Sequence, residues 1–382
     1  MDLSLTSEQK MIQQTASRLA AEVLAPRAAE LDASCGFPRQ GLQKLAEAGL
    51  MGLLIPPALG GGGGDALSFV LATEELAKAC GSTALCYVTQ IASAFTILVG
   101  GSPEQKARYL PAMCSGEKLG LLAATEPNSG SNSMVMEAFA ERQGDQYVLN
   151  GSKNFITNAG EAAVNLIVVR TNKAPGPQSL SLFAVDRGTP GFTIGKKDAR
   201  MGFNGVSSGE IIFQDCKVPA ENLIGQEGTG AMIVMAAGGL STLGAAAISI
   251  GLAQSALSAS VSWAKERIIA GQPIGAYQGV QFLVSEMSAG ITAARALLAS
   301  AVYTRDTSPP GLAVASFQAK LFASEMAVDV TNKALQIHGG HGYSRELPIE
   351  RYYRDARGLT LHFSPTEPLK ELLGKIALGL IQ

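Results

Sequence analysis

Charged residues are scarce in this chain: they make up 16% of its 382 residues, against 47% hydrophobic residues. The net charge is only −2 and no run of Lys and Arg occurs, so nothing attracts the chain to nucleic acid or to an acidic membrane surface. The composition argues against disorder. It predicts a folded protein of two or three domains with much buried surface, including contacts between subunits.

Metal-ligand motifs are also lacking. The five cysteines form no CxxC pair, and the three histidines form no HExxH motif. We therefore expect no metal site. The cysteines are interpreted as reduced thiols in the core of a cytoplasmic protein.

The chain has no apolar leader, no GxxxxGK[ST] motif and no Rossmann fingerprint. MDLSLTSEQKMIQQ turns polar at once, unlike a signal peptide. The glycine run Gly60–Gly64 does not lie between a strand and a helix, so we interpret it as a flexible surface loop. The apolar stretch 233–257 contains several Ser, Thr and Gln residues and predicts a tightly packed buried helix, not a membrane span.

Three stretches of different periodicity follow one another. Residues 1–118 show helical spacing, with Thr6 or Ser7 as the first cap and Ser102 as the last. Residues 119–225 are short β-type runs separated by turn residues, and residues 226–382 return to long apolar helices at 229–268, 275–305, 309–340 and 366–380. This order predicts an α+β multidomain fold: an N-terminal helical domain, a central antiparallel β-domain and a C-terminal helical bundle.

Two segments of the β-region place hydroxyl side chains at turns, LLAATEPNSGSN and GSKNFITNAG. Thr125, Ser131 and Thr157 can donate hydrogen bonds to carbonyls, ring nitrogens or phosphate oxygens. Phe155 offers a flat apolar wall. From these residues alone, an ordinary polar β-turn is the alternative.

Together with two later segments, these motifs resemble the acyl-CoA dehydrogenase family. TEPNSGSN is similar to TEPxAGSD and GSKNFITNAG to GxKxWITN, while WAKERIIAGQPIGAYQ and LQIHGGHGYSRELPIERYYRDAR resemble ERxxFGxxIxxxQ and QxxGGxGYxxExPxERxxRDxR. The resemblance covers nearly the whole chain in order. It implies a C-terminal four-helix bundle, FAD held between the β-domain and that bundle, and a homodimer or homotetramer.

The resemblance also implies residue roles in binding FAD. Thr125 and Ser131 would hydrogen-bond the isoalloxazine ring, and Phe155 and Thr157 would flank it. The FAD of a neighbouring subunit would be reached by Arg267, Gln278, Gln336 and Gly340. The arginine fork also suits phosphate oxygens on physical grounds, with a surface ion pair as its alternative role.

The family's catalytic base is missing from its usual position. In the family reaction, a glutamate removes the proton next to the thioester carbonyl while the flavin takes a hydride from the next carbon. Counted in register from Arg354, the position of that glutamate falls on Phe363, which cannot accept a proton. The alternative base position, on the first bundle helix, falls on Ser241, and Gly239 and Thr242 replace the family's Asp/Arg pair.

Three further sets of residues bear on this gap. Glu367 and His362 are candidates for a displaced base, whereas Glu126 is interpreted as a structural hydrogen-bonding residue. Tyr87 and Gln90 are predicted to line the acyl pocket. The same pocket would include Ser131, Gly239, Thr242 and Phe363.

The sequence therefore predicts an FAD-dependent oxidoreductase acting on an acyl thioester bound to CoA or to a carrier protein. It would catalyse dehydrogenation or reduction at the α,β-carbons with a displaced or absent base. The alternatives are non-redox elimination or flavin-dependent hydroxylation on the same fold, and a catalytically silent flavoprotein. An electron-transfer flavoprotein is one candidate acceptor.

Overall fold

The computed structural model describes residues 4–130, 135–174, 176–307 and 312–380, and its helices and strands follow the predicted order. The N-terminal helices are α1 (Ser7–Leu19), α2 (Ala28–Ser34), α3 (Arg39–Glu47), α4 (Ala66–Ala79), α5 (Gly81–Gly100) and α6 (Pro103–Cys114). Thr6 caps α1 and Ser102 caps α6, each in a capping box with a glutamine three residues further on. Both predicted caps are confirmed.

The run Gly60–Gly64 is a surface loop, as predicted, and it is hydrogen-bonded to the chain that precedes it. The amides of residues 62 to 64 donate to carbonyls of residues 52 to 55 at 2.7–2.9 Å. A Cβ atom at Gly61 would lie 2.0 Å from the carbonyl oxygen of Ile55. Glycine is required here because two stretches of main chain touch.

The central domain is one sheet of eight strands: β1 (Gly120–Ala123), β2 (Phe139–Gln143), β3 (Gln146–Thr157), β4 (Val164–Arg170), β5 (Leu180–Asp186), β6 (Phe192–Lys197), β7 (Ser208–Pro219) and β8 (Leu223–Ile224). The order is β6-β7-β3-β2-β4-β5-β8, with β1 beside β4. Most pairs are antiparallel, but β4 runs parallel to both β1 and β2. These two pairs differ from the expected antiparallel pattern because the β2–β3 hairpin lies in the crossover from β1 to β4.

Both faces of the sheet are buried, and alternate residues of β4 show how. Ile167 and Val169 join a core on one face, whereas Leu166 and Val168 join a second core with residues of α5, α6 and α7 on the other. A third and larger core fills the helical parts of the molecule. The sheet is thus fixed against the helices on one side.

The C-terminal helices are α7 (Gly230–Glu266), α8 (Gln278–Thr307), α9 (Leu312–His338), α10 (Gly340–Tyr343), α11 (Ile349–Leu359) and α12 (Thr366–Ala377), with a small hairpin of β9 (Ile268–Ile269) and β10 (Gln272–Pro273). The four long predicted helices are present. The two short helices α10 and α11 are not among the predicted helices. The expected domain limits, 118/119 and 225/226, lie in the connections that precede β1 and α7.

Helices α5, α7 and α8 are long and apolar enough to cross a membrane by length and composition alone. Their most apolar windows are 78%, 56% and 22% buried inside the protein. Residues 242 to 253 of α7 are all buried, which agrees with the prediction of a packed helix. All five cysteines are free, and four are buried, but Cys35 is exposed and so is not a core thiol.

Candidate functional site

The first predicted flavin segment forms a turn directly after β1. Thr125 is exposed, and the Glu126 amide donates to Ser129 Oγ at 3.2 Å within the turn. Gly130 has φ 51°, and a Cβ atom placed on it would meet nothing within 4 Å. The turn therefore presents a hydroxyl group and open space beside bare main chain. Ser131 lies outside the described residues.

The second predicted segment lies at the end of β3, where the strand is irregular. The pairing of β3 with β7 shifts register between Lys153 and Ile156, and Phe155 has φ 56°. A bulge of this kind redirects a side chain that regular alternation would place elsewhere. The Phe155 ring is 67% exposed, and Thr157 is half-buried nearby in sequence. The bulge thus presents a flat apolar face of the kind expected beside a flavin ring.

A buried ion pair joins these two segments. Lys153 Nζ lies 2.6 Å from Glu126 Oε1, and the two side chains are 0% and 3% exposed. The Asn154 amide donates to the Thr125 carbonyl at 2.9 Å. Burial lowers the pKa of Lys153, against the opposing effect of Glu126. The ion pair agrees with the predicted structural role of Glu126. Lys153 was not predicted, although a lysine among inward-facing strand positions is a visible signal.

Three of the four residues predicted to reach a neighbouring subunit's FAD line one cleft. Arg267, Gln336 and Gly340 line an opening of about 560 Å³, and Gln278 lies between two lining residues in sequence. The Arg267 guanidinium lies 5.9 Å from the centre of the Trp263 ring. The cleft therefore combines a cation, an amide and an open glycine, the groups that suit a phosphate-containing ligand.

Phe363, predicted to occupy the position of the family base, lies on a left-handed turn between α11 and α12. Phe363 has φ 49° and Ser364 has φ 78°, unusual values for residues other than glycine. Lys320 of α9 is fully buried, and its Nζ donates to the Ser364 carbonyl at 2.6 Å. Burial lowers the pKa of Lys320 to about 8. Lys320 is not among the predicted site residues, although a lysine within the apolar run of α9 is a visible signal.

The two candidate replacement bases flank Phe363. His362 Nδ1 lies 2.8 Å from the Gly358 carbonyl oxygen, which fixes Nδ1 as the donor and leaves Nε2 as an acceptor. Burial lowers the pKa of His362, so the ring is neutral at pH 7. Glu367 is exposed in the first turn of α12, where Thr366 Oγ1 donates to it at 3.1 Å. Hydrogen bonding from its own amide lowers the pKa of Glu367.

Four of the six predicted acyl-pocket residues lie on α5 and α7. Gln90 is fully buried: its Nε2 donates to the Met113 carbonyl at 2.9 Å, and its Oε1 accepts from the Gly120 amide at 2.6 Å. Its side chain therefore joins α5 to α6 and β1. Tyr87 is also fully buried, and its hydroxyl has no hydrogen-bond partner among the described residues. Its ring packs against Phe69, so it serves the core.

On α7, Thr242 is buried and Gly239 and Ser241 are half-buried. Thr242 Oγ1 donates to the Gly238 carbonyl at 3.0 Å, a bond within the helix. A Cβ atom on Gly238 would meet nothing within 4 Å. The surface of α7 at Gly238 therefore faces open space, and residues 238–242 carry no ionisable side chain.

Three family descriptions match the chain in the order of its three parts. "Acyl-CoA dehydrogenase, N-terminal domain" matches residues 6–117, the middle domain matches residues 122–216, and the C-terminal domain matches residues 228–377.

Similar proteins share the whole length of the chain. Acryloyl-CoA reductase (NADH) of Anaerotignum propionicum is 41% identical over 377 residues, which are 98% of this chain and 95% of that protein. The solved structure of butyryl-CoA dehydrogenase from Megasphaera elsdenii has a TM-score of 0.96 at 36% identity and covers 99% of this chain and 100% of that chain. A chain from a study of the electron transferring flavoprotein of Acidaminococcus fermentans has a TM-score of 0.96 at 37% identity, with the same coverage.

Proposed function

The chain belongs to the acyl-CoA dehydrogenase family of oxidoreductases that act on acyl thioesters, and from that premise we propose that this member reduces an activated α,β-unsaturated acyl thioester. The feature that supports the proposal is Phe363, which the register counted from Arg354 predicts to occupy the position of the family's proton acceptor. Lys320 holds the turn that presents this residue. The similarity to a protein named for acryloyl-CoA reduction agrees with the proposed direction.

Dehydrogenation and reduction differ in the proton transfer that each requires. Dehydrogenation must begin by removing a weakly acidic proton, and the phenyl ring of Phe363 cannot accept it. Loss of a general base typically costs about 10²–10⁴ in rate. Reduction of the double bond instead ends with the addition of a proton to a strongly basic α-carbon, which water can donate. The missing group slows both directions of one substrate pair by the same factor, because both directions pass through the same transition state. For an activated double bond the equilibrium favours reduction, so the reductive direction keeps the higher rate.

The described residues fit FAD as the cofactor. Thr125 and the open Gly130 turn would hold the polar edge of the isoalloxazine ring, with Phe155 and Thr157 beside it. When bound and reduced, FAD would supply the hydride that is transferred to the β-carbon. The cleft at Arg267 would take the phosphate-containing part of the FAD of a neighbouring chain.

A homodimer or homotetramer follows from this arrangement of two half-sites. The α8 surface supports it, because Phe282 and Tyr303 are 56% and 53% exposed. Light scattering of the purified protein tests the assembly: a dimer or tetramer is expected, and a monomer that retains FAD would contradict it. An electron-transfer flavoprotein is the proposed redox partner, and the substrate thioester is CoA- or carrier-bound.

Anaerobic mixing tests the direction of the reaction. The flavin is reduced with dithionite and mixed with a panel of enoyl thioesters, on CoA and on carrier protein, while absorbance is followed. Rapid reoxidation by one enoyl thioester is expected. The matched experiment mixes oxidised enzyme with the saturated partners of the same panel and should show much slower bleaching.

Other outcomes identify the alternatives. Fast bleaching by a saturated thioester would contradict the proposal and indicate a dehydrogenase with a displaced base. Product formation that requires oxygen would indicate hydroxylation, and product formation without any change of flavin absorbance would indicate elimination. A protein that takes up FAD and reacts in none of these assays would be the silent flavoprotein.

A further inference from the structure

A buried ion pair lies directly behind the two segments proposed to hold the flavin ring. We propose that Lys153 and Glu126 are positioning residues, which hold Thr125 and Phe155 in the arrangement that receives the isoalloxazine ring. The inference rests on the FAD binding proposed above. It assigns a function in cofactor binding to two side chains that do not themselves reach the surface.

Glu126 joins three stretches of chain around the flavin segment. Its Oε1 accepts from Lys153 Nζ at 2.6 Å and from the Ala138 amide at 3.1 Å, and its Oε2 accepts from the Glu137 amide at 2.6 Å. Its carbonyl accepts from the Gly130 amide at 3.3 Å. Glu126 therefore bonds Gly130 through its main chain and the residues just before β2 through its carboxylate, which ties the turn after β1 to the start of β2.

Lys153 connects that carboxylate to the irregular part of β3. It is two residues before Phe155, within the register shift, and its Nζ also lies 3.5 Å from the Ala124 carbonyl oxygen and 3.7 Å from Met136 Sδ. Nζ thus contacts Ala124 and Glu126, the residues on either side of Thr125. These contacts connect the bulge of β3 to the turn that follows β1. The Asn154 amide bond to the Thr125 carbonyl adds a direct link.

Stability alone does not account for an ion pair here. A buried pair of charges is often replaceable by well-packed apolar residues without loss of stability, because removing the charges from water is costly. The surroundings are suited to such a replacement, since the strands on both sides carry buried Ala, Val, Leu and Ile side chains. What an apolar pair would lose is the directional bonding that sets the positions of Thr125 and Phe155.

The test compares FAD binding with folding of the apoprotein. The double variant Lys153→Met/Glu126→Gln removes both charges together and keeps the side-chain lengths, and Glu126→Gln alone serves as the second variant. The matched control is Arg39→Met. It removes a surface ion pair between Arg39 and Glu161, which lies in the connection between β3 and β4. FAD dissociation constants are measured by fluorescence titration, the bound flavin by its visible spectrum, and the apoproteins by thermal unfolding.

We expect the double variant and Glu126→Gln to raise the FAD dissociation constant at least tenfold and to blur the fine structure of the flavin band. The apoprotein of the double variant should unfold close to the wild-type temperature, and Arg39→Met should match the wild type in every assay. Wild-type FAD affinity in the double variant, or a loss of affinity only in step with apoprotein stability, would overturn the positioning role. A wild-type protein that binds no FAD would overturn the proposed function as well.

Discussion

Restoring a carboxylate at position 363 is the most direct test of the site. Phe363→Glu places a proton acceptor on a turn that is already shaped, because φ is 49° at residue 363 and Lys320 holds the next carbonyl. Both Phe and Glu are residues that disfavour a positive φ, so the exchange adds little new backbone strain. The half-buried Phe363 ring does lose packing against the helical core.

The expected gain follows from the usual contribution of a general base. Such a base contributes about 10²–10⁴ in rate, and an acid without a tuned environment belongs at the lower end, about 10²-fold. This corresponds to about 2.7 kcal/mol of the activation barrier. An ordinary glutamate has a pKa of about 4.3, so even an upward shift of about 2 units on partial burial leaves it ionised at pH 8.

The assay is anaerobic flavin bleaching by saturated acyl-CoAs at pH 8, with Phe363→Gln as the control of similar shape that lacks a proton acceptor. We expect Phe363→Glu to bleach about 10² times faster than Phe363→Gln. Equal rates for the two variants, with the FAD spectrum and melting temperature intact, would refute the assignment of residue 363 to the base position.

Three stability predictions follow from other described contacts. Ser364→Gly should raise the free energy of unfolding by about 1 kcal/mol, because residue 364 has φ 78°, a value that glycine adopts without strain. The measurement is urea unfolding. The control is Ser115→Gly, where φ is −74° and the exchange should not stabilise the protein. Lys320 has a folded pKa of about 8, below its unfolded value of about 10.4, so the unfolded state binds more protons between these pH values. The stability of the wild type relative to Lys320→Met should therefore rise by about 2–3 kcal/mol from pH 8 to pH 10, and a constant difference would contradict the burial argument. Gln90→Met should cost about 1–3 kcal/mol, because it leaves the buried Gly120 amide without its partner and removes a hydrogen bond to the Met113 carbonyl; an unchanged stability with a raised KM would instead support the acyl-pocket role.

Local sequence patterns determined much of this protein. The change of period from helix to strand and back gave the three parts, and Thr6 and Ser102 marked two helix starts through their capping boxes. Motif spacing selected Arg267 and Gln336, which are far apart in sequence and line one cleft in the structure. These features were readable because each depends on neighbouring residues or on motifs that occur intact.

Other features were decided only by the tertiary structure. A bulge turns Phe155 outward, and Phe363 and Ser364 have positive φ angles. Neither feature could be predicted, because Phe and Ser are not residue types that favour a positive φ. Lys153 binds Glu126, which is 27 residues away in sequence, and Lys320 binds the Ser364 carbonyl, which is 44 residues away. A buried lysine has no periodic signature, since its place depends on the partner that satisfies its charge, and only the folded chain brings that partner within hydrogen-bonding distance.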